Sequence, residues 1–193
     1  MMDLLMSVVI SLLRGVNLGS HNRIKMDTLR TLYESLKLRH VQTYVQSGNV
    51  VFTTGDKDLV ALAKRIENGI ERTFGFRPVV ILRTTSELRA VVTGNPFVTR
   101  EGIHPSRLLV MFLANDPGQE AREKVLTIKT DPEELRMAGR EIFIHYPNGM
   151  GRSKLSWIAL EKVMKTSGTG RNWNSVTKLL EIAKRLESES EPL

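Results

Sequence analysis

Cysteine is absent from this chain of 193 residues. Its absence excludes disulfide bonds, thiolate catalysis and cysteine-ligated metals, and it favours a cytoplasmic location, where disulfides are rare. The four histidines are scattered and show no HxH or HExxH spacing. We therefore expect no metal site and no bound cofactor.

Long apolar runs are also absent. The N-terminal apolar segment ends at Arg14, which makes it too short to span a bilayer, since that takes ~20 residues. It has no basic leader and no small-residue cleavage site, so we expect neither a signal peptide nor a membrane partner. We interpret Ser7–Leu13 as a buried first strand and residues 1–6 as a loosely ordered lead-in.

Familiar catalytic motifs are missing as well. The sequence shows no GxSxG elbow, no paired carboxylates at a recognisable spacing and no histidine beside a clear nucleophile. It therefore leaves enzymatic activity open.

Positive charge is in excess, with 28 Lys and Arg against 21 Asp and Glu, a net charge of +7. Three of the acids lie in residues 187–193, so the body of the protein carries a larger surplus. Such a surplus favours polyanionic partners such as nucleic acid. We predict that residues 188–193 form a disordered acidic tail.

The apolar pattern predicts the order strand, helix, strand, strand, helix, strand, helix, and then repeats it. A helix begins at Met26, and two strands flank the tight turn Ser47-Gly48-Asn49. In the second half a helix is predicted from Ser153. The fold class is therefore α+β, with two ferredoxin-like βαββαβ(α) units in tandem, each an antiparallel sheet with helices packed on one face.

The predicted boundaries place the first subdomain at residues 7–97 and the second at residues 106–187. The intervening segment has the glycine, proline and polar character of a linker. A single mixed domain is the alternative. We expect Asp56 to cap the second helix, Asp116 to cap the first helix of the second unit, and Thr84 with Glu87 to form a capping box.

The segment 14–25, RGVNLGSHNRIK, is the most informative part of the chain. It joins a strand to a helix but is longer and more polar than that connection needs, which is usually about 2–6 residues. Two later segments share its chemistry, NGMGRSK at 148–154 and SGTGRNWNS at 167–175. Each places glycine, an amide or hydroxyl, and a cation before a helix, where free N–H groups and the dipole favour an anion. The alternative is ordinary caps and turns.

The second segment gives the strongest single argument. Ser153 is predicted to cap a helix whose positive end is bracketed by Arg152 and Lys154. Cations at that end oppose the helix dipole, and a bound anion would relieve the conflict.

The hairpin turn at Ser47 and Asn49 needs no function, but its polar groups are also able to extend toward a ligand held by the first loop. Trp173 is interpreted as a core anchor or as a stacking surface for a base. No segment matches the RNP1 pattern of RNA-recognition motifs. The candidate anion-binding residues are Arg14, Asn17, Lys25, Ser47, Asn49, Arg152, Ser153, Lys154, Arg171, Asn172 and Asn174.

Several motifs together resemble a bacterial family. They are LLRGVNLGSHNRIKM, VQTYVQSGNVVF, the Asn95-Pro96-Phe97 step, HYPNGMGRSKL and TGRNWNSVTKL. In this order and spacing they are similar to the family known as domain of unknown function 1697, over residues 7–186. The resemblance implies a compact bacterial α+β protein of ferredoxin-like units. It implies no established activity, substrate or catalytic residue.

Three hypotheses follow for the function. The first is a binding protein for a phosphate-bearing ligand, either nucleic acid or a nucleotide. The second is a small enzyme acting on a phosphorylated or carboxylated metabolite in the same cleft. The third is a protein interaction module whose polar loops are structural. The sequence does not indicate an oligomeric state.

Overall fold

The chain folds into two compact units. The computed structural model describes residues 6–190, so the predicted lead-in lies almost wholly outside the described residues. The first unit combines residues up to Arg89 with residues from Lys178 onward, and the second comprises Ala90–Thr177.

The first unit is built on a four-stranded antiparallel sheet with the order β2-β3-β1-β4. Its elements are β1 Ser7–Leu13, α1 Met26–Ser35, β2 Arg39–Tyr44, β3 Asn49–Thr54, α2 Leu59–Phe74, β4 Val80–Thr84 and α3 Thr85–Thr93.

The central strand β1 is the apolar run read from the sequence, and it is buried along both faces from Val8 to Leu13. Side chains on one face, among them Val9 and Leu13, join a core with Leu29 of α1 and Ile66 of α2. This core explains why α1 and α2 are amphipathic, since each presents one apolar stripe to the sheet.

A buried hydrogen bond ties α1 to this sheet. The hydroxyls of Ser11 and Tyr33 are 2.8 Å apart, and both residues are fully buried. The Tyr33 ring also meets Phe52 edge-on, with ring centroids 5.5 Å apart. Burial raises the pKa of the Tyr33 phenol above its ordinary value, so it stays neutral and able to donate.

The second unit repeats the topology, with the sheet order β6-β7-β5-β8. Its elements are β5 Leu108–Leu113, α4 Gln119–Leu126, β6 Glu134–Ala138, β7 Glu141–His145, α5 Trp157–Met164, β8 Gly168–Asn172 and α6 Trp173–Ser190, with short 3-10 turns at Pro105–Arg107 and Met150–Arg152. The predicted α+β fold of two ferredoxin-like units is confirmed.

Matching hydrogen bonds close the end of the central strand in each unit. The Leu13 N–H donates to the Gly48 carbonyl at 2.9 Å, and the Leu113 N–H donates to the Arg140 carbonyl at 2.9 Å. In both units the N–H of the following residue donates to the residue just before the edge strand. The Arg14 N–H donates to the Val79 carbonyl, and the Ala114 N–H donates to the Ser167 carbonyl. Position 14 therefore corresponds to position 114.

Both unit limits fall inside helices. The limit after Arg89 lies within α3, and the limit after Thr177 lies within α6. The contacts thus assign the C-terminal part of α6 to the first unit. In addition, α6 continues through Ser190, so residues 188–190 are helical and not the disordered start of a tail.

Two predicted helix caps are wrong by a few residues. Asp58 caps α2, because its Oδ1 accepts from the N–H groups of Val60 and Ala61. Asp56 instead pairs with Arg65 at 2.7 Å, and that hydrogen bond lowers the pKa of the Asp56 carboxyl.

In the second unit, Asp116 does not cap α4 either. Its Oδ1 accepts from the Gly118 N–H at 2.7 Å, and Gly118 itself precedes the helix. The capping box of Thr84 and Glu87 is confirmed, because each side chain accepts from the other residue's N–H, at 3.2 and 2.8 Å.

The helix predicted from Ser153 begins later. Ser156 is its cap and accepts from the Ala159 N–H, so α5 starts at Trp157. Within α5, Ile158 is 79% exposed while Leu160 is buried.

The buried Ser11–Tyr33 bond supports a stability prediction. Ser11→Ala and Tyr33→Phe should each lower the free energy of unfolding by about 1–3 kcal/mol, because each leaves one buried hydroxyl without its partner. The double variant should lose less than the sum of the two. Urea denaturation of all four proteins measures this coupling, and additive losses would contradict it.

Candidate functional site

Five of the eleven candidate residues lie in two adjoining loops of the first unit. The two loops are residues 14–25, between β1 and α1, and residues 45–48, between β2 and β3, and the latter leads into Asn49, the first residue of β3. The five candidates are Arg14, Asn17, Lys25, Ser47 and Asn49. We call the two loops the basic loop pair.

Asn17 holds the basic loop pair together. Its Nδ2 donates to the Gln46 carbonyl at 2.7 Å and to the Ile24 carbonyl at 3.0 Å. Its Oδ1 accepts from the Ile24 N–H at 2.8 Å. Because these bonds occupy both ends of the amide, Asn17 positions the loops rather than offering its amide to a ligand.

Backbone conformation explains much of the glycine and asparagine in this region. Gly15, Asn17, Gly19 and Asn22 all have positive φ, which these two residue types tolerate best. At Gly48 space matters too, because a Cβ there would lie 2.5 Å from Val16 Cγ2. The two loops therefore approach each other as closely as a glycine allows.

The hairpin amide is also committed to structure. Asn49 is fully buried, and its Nδ2 donates to the Tyr44 carbonyl at 3.1 Å and to Ser47 Oγ at 3.0 Å. Ser47 itself is exposed at the turn. Of the two hairpin candidates, Ser47 is the one on the surface.

Three cations of residues 14–25 are exposed, namely Arg14, Arg23 and Lys25. Arg23 was missed among the candidates, although its place in the same loop is a signal that the sequence contains. Lys25 occupies the N-cap of α1 and makes no side-chain cap bond. The first-turn acid Asp27 pairs with Arg30 at 3.0 Å.

The corresponding loop of the second unit is short. Twelve residues, 14–25, separate β1 from α1, whereas five residues, 114–118, separate β5 from α4. The same strand-end hydrogen bonds are made in both units. The fold therefore does not require the length or the charge of residues 14–25.

The charge of the shorter loop is neutralised within the protein. Arg122 Nη2 lies 2.6 Å from Asp116 Oδ1, and Arg122 Nε donates to the Gly139 carbonyl at 3.2 Å. The Gly118 N–H and the ion pair with Arg122 lower the pKa of the Asp116 carboxyl. The charged side chain of this loop is therefore held in an ion pair.

The other six candidates belong to the second unit, and the structure removes the argument for the first three. Arg152 ends a 3-10 turn, and Ser153 Oγ accepts from the Leu155 N–H at 3.0 Å. Since α5 starts at Trp157, Arg152 and Lys154 do not bracket its positive end. Both cations are exposed, but the predicted conflict with a helix dipole is absent.

Arg171 is buried within β8 and is only 6% exposed. Its Nη1 donates to Thr169 Oγ1 and to the Gly170 carbonyl, both at 2.8 Å. Burial lowers the pKa of its guanidinium to about 10, which still leaves it charged at neutral pH. The sequence predicted Arg171 as a cation on a surface loop, but the residue lies in a strand and its side chain is buried.

The remaining candidates lie at the start of α6. Asn172 Oδ1 accepts from the Ser175 N–H at 2.8 Å, which is a capping contact, and Asn174 is exposed. Trp173 is buried, which fits the core-anchor interpretation.

Strand aromatics do not form a stacking surface. Phe52, Phe143 and Tyr146 are buried, and Tyr44 is half-buried. The Tyr146 hydroxyl is buried, and burial raises its pKa to about 12.

A charged cluster around Glu134 in the second unit was not predicted. Its carboxylate lies 2.8 Å from Arg100 Nη1 and 3.3 Å from His145 Nδ1. Arg100 and Arg136 also lie over the Phe97 ring, 5.6 and 5.9 Å from its centroid. The hydrogen bond from Arg100 lowers the pKa of Glu134, so this carboxylate is ionised at neutral pH and held by its partners in the cluster.

Two further observations concern residues 6–190. No group of three or more His, Asp or Glu side chains there is placed to hold a metal ion. None of the helices in that range has both the length and the apolar character needed to cross a membrane.

Together these features define a duplicated α+β protein whose first unit carries an exposed basic loop. The chain belongs to the family described as protein of unknown function (DUF1697), whose model matches residues 6–143. The motifs around residues 148–154 and 167–175 lie beyond that match.

A solved structure shares the fold. It is that of a conserved bacterial protein from Streptococcus pneumoniae, which is 21% identical with a TM-score of 0.69, and the alignment covers 92% of this chain and 99% of that one. A comparison with curated proteins finds no match.

The role of Asn17 leads to a prediction. Asn17→Asp keeps the acceptor for the Ile24 N–H but places an oxygen against two carbonyls, so unfolding should become easier by about 1–3 kcal/mol. Trypsin should also cut faster after Arg14, Arg23 or Lys25. Mass analysis of timed digests measures this, with Asn174→Asp as the exposed control. Equal cleavage rates of the Asn17→Asp and Asn174→Asp variants would contradict the role of Asn17 in holding the two loops together.

The Glu134 cluster predicts a pH dependence. Because its folded pKa lies below the ordinary 4.5, the stabilisation by Glu134 is present above that value and is lost as pH falls through the folded pKa. Glu134→Gln should therefore lower the melting temperature at neutral pH and have little effect near pH 3. Melting curves across this range test it, with the exposed Glu101→Gln as control. A difference that persists at low pH would count against the ion pairs.

Proposed function

We propose that the protein binds a phosphate-bearing ligand, nucleic acid or a nucleotide, through the basic loop pair of its first unit. The observation that carries the proposal is the length and charge of residues 14–25 beside the five-residue counterpart in the second unit. The connection is seven residues longer in the first unit than in the second, and it contains three exposed cations.

The chemistry of this loop suits phosphate. Arg14 and Arg23 are able to make charge-assisted hydrogen bonds to phosphate oxygens, and Lys25 adds a third positive charge. Lys25 occupies the N-cap of α1, and its side chain makes no cap bond. First-turn N–H groups and the helix dipole there add to the attraction for an anion.

The setting fits the same proposal. The net charge of +7 favours approach to polyanions, and the lack of cysteine supports action in the cytoplasm, where nucleic acid and nucleotides are abundant.

Charge removal tests the proposal. Arg23→Ala with Lys25→Ala should weaken binding to a labelled 12-nucleotide DNA single strand, measured by fluorescence anisotropy at several salt concentrations. The slope of log affinity against log salt should fall by about 1.4, since each lost phosphate contact contributes ~0.7 for a single strand. The melting temperature should be nearly unchanged, because exposed cations contribute little to folding.

A matched control removes the same charge elsewhere. Lys57 and Lys64 are exposed in the first unit but lie outside the basic loop pair. Lys57→Ala with Lys64→Ala should leave most of the affinity. Equal losses in the two double variants would show that net charge alone binds the DNA, and the proposed site would then be wrong.

A further inference from the structure

Two exposed apolar side chains flank the bond that joins the basic loop pair. Leu18 is 69% exposed and Val45 is 49% exposed. Each is the chain neighbour of a residue in the Asn17–Gln46 hydrogen bond, whose length is 2.7 Å. The two side chains therefore stand on adjoining loop segments, beside the cations of residues 14–25.

The backbone at Val45 is strained. Its φ is +49°, a region that a β-branched residue rarely adopts. Glycine or asparagine would relieve the strain at this exposed turn position, and the side chain gains little from burial. Strain kept at an exposed residue points to a functional use of that side chain.

The cations around this apolar pair narrow the choice of ligand. A pocket for a small nucleotide buries most of its ligand. Here Arg14, Arg23 and Lys25 are all exposed, as are Leu18 and Val45. An open surface of this kind is suited to a strand that passes over it, with phosphates on the cations.

The apolar side chains then need an apolar surface on the ligand. A duplex hides the faces of its bases in the stack, whereas a single strand exposes them to protein side chains. We infer that the basic loop pair binds single-stranded nucleic acid, with Leu18 and Val45 against unpaired bases. This inference rests on the proposed function and adds the form of the nucleic acid.

The test separates base contact from charge. Leu18→Ser and Val45→Gly each remove one apolar side chain without changing charge, and Val45→Gly also relieves the backbone strain. Each should weaken binding to the labelled 12-nucleotide single strand about fivefold, near the lower end of what a base–aromatic stack contributes, because an aliphatic side chain covers less of a base. Retention on heparin should be unchanged. The wild type should bind the corresponding duplex more weakly than the single strand.

Ile158→Ser is the matched control, because Ile158 is 79% exposed in the second unit. It should bind as the wild type does, and melting curves confirm that every variant is folded. Normal single-strand binding by Leu18→Ser and Val45→Gly would overturn this inference. If the Arg23 and Lys25 double variant still loses affinity, the proposed function stands.

Two other results are also decisive. Equal affinity of the wild type for duplex and single strand would overturn the role of unpaired bases. Binding to vesicles of phosphatidylserine and phosphatidylcholine is measured as well. Loss of vesicle binding by Leu18→Ser, with oligonucleotide binding intact, would identify a lipid surface as the ligand and overturn the inference.

Discussion

The rest of each unit depends on the burial of its central strand on both faces. A strand in this position must pair its backbone on both edges, because a buried N–H or carbonyl without a partner is costly. β1 and β5 meet this requirement with antiparallel neighbours on either side. The strand-end bonds then fix where the chain leaves the sheet, which places residues 14–25 beside the hairpin turn.

Because the two units share one topology, the β5–α4 connection of the second unit can be compared directly with the β1–α1 connection of the first. Both units make the same bonds after Leu13 and Leu113, so differences between the two connections reflect something other than chain geometry. One connection closes with an internal ion pair, and the other carries the exposed cations Arg23 and Lys25.

Sequence periodicity predicted the elements well where a pattern reports burial directly. Ser7–Leu13 and the α1 start at Met26 are recovered because apolar spacing follows from the core itself. Helix caps were harder, because Asp56 and Asp58, or Ser153 and Ser156, are chemically equivalent candidates and tertiary contacts select between them.

The sequence also did not predict which side chains of the candidate site are exposed. Arg171 resembles a loop cation next to glycine, but it lies in β8, where it pairs with Val110, and its side chain is buried. Asn17 and Asn49 look like ligand amides, and the structure uses them to close loops. Arg23 lies in the loop that the sequence singles out, but its exposure, like the positive φ of Val45, is known only from the structure.

The passage of α3 and α6 across the unit limits has a consequence for synthesis. The first unit is discontinuous in the chain, since Arg185 of α6 donates to Gln42 of β2 at 2.8 Å and Glu187 pairs with Arg89 at 3.3 Å. During translation its last helix emerges only after the whole second unit. The first unit therefore cannot acquire all of its own contacts until the second unit has been synthesised.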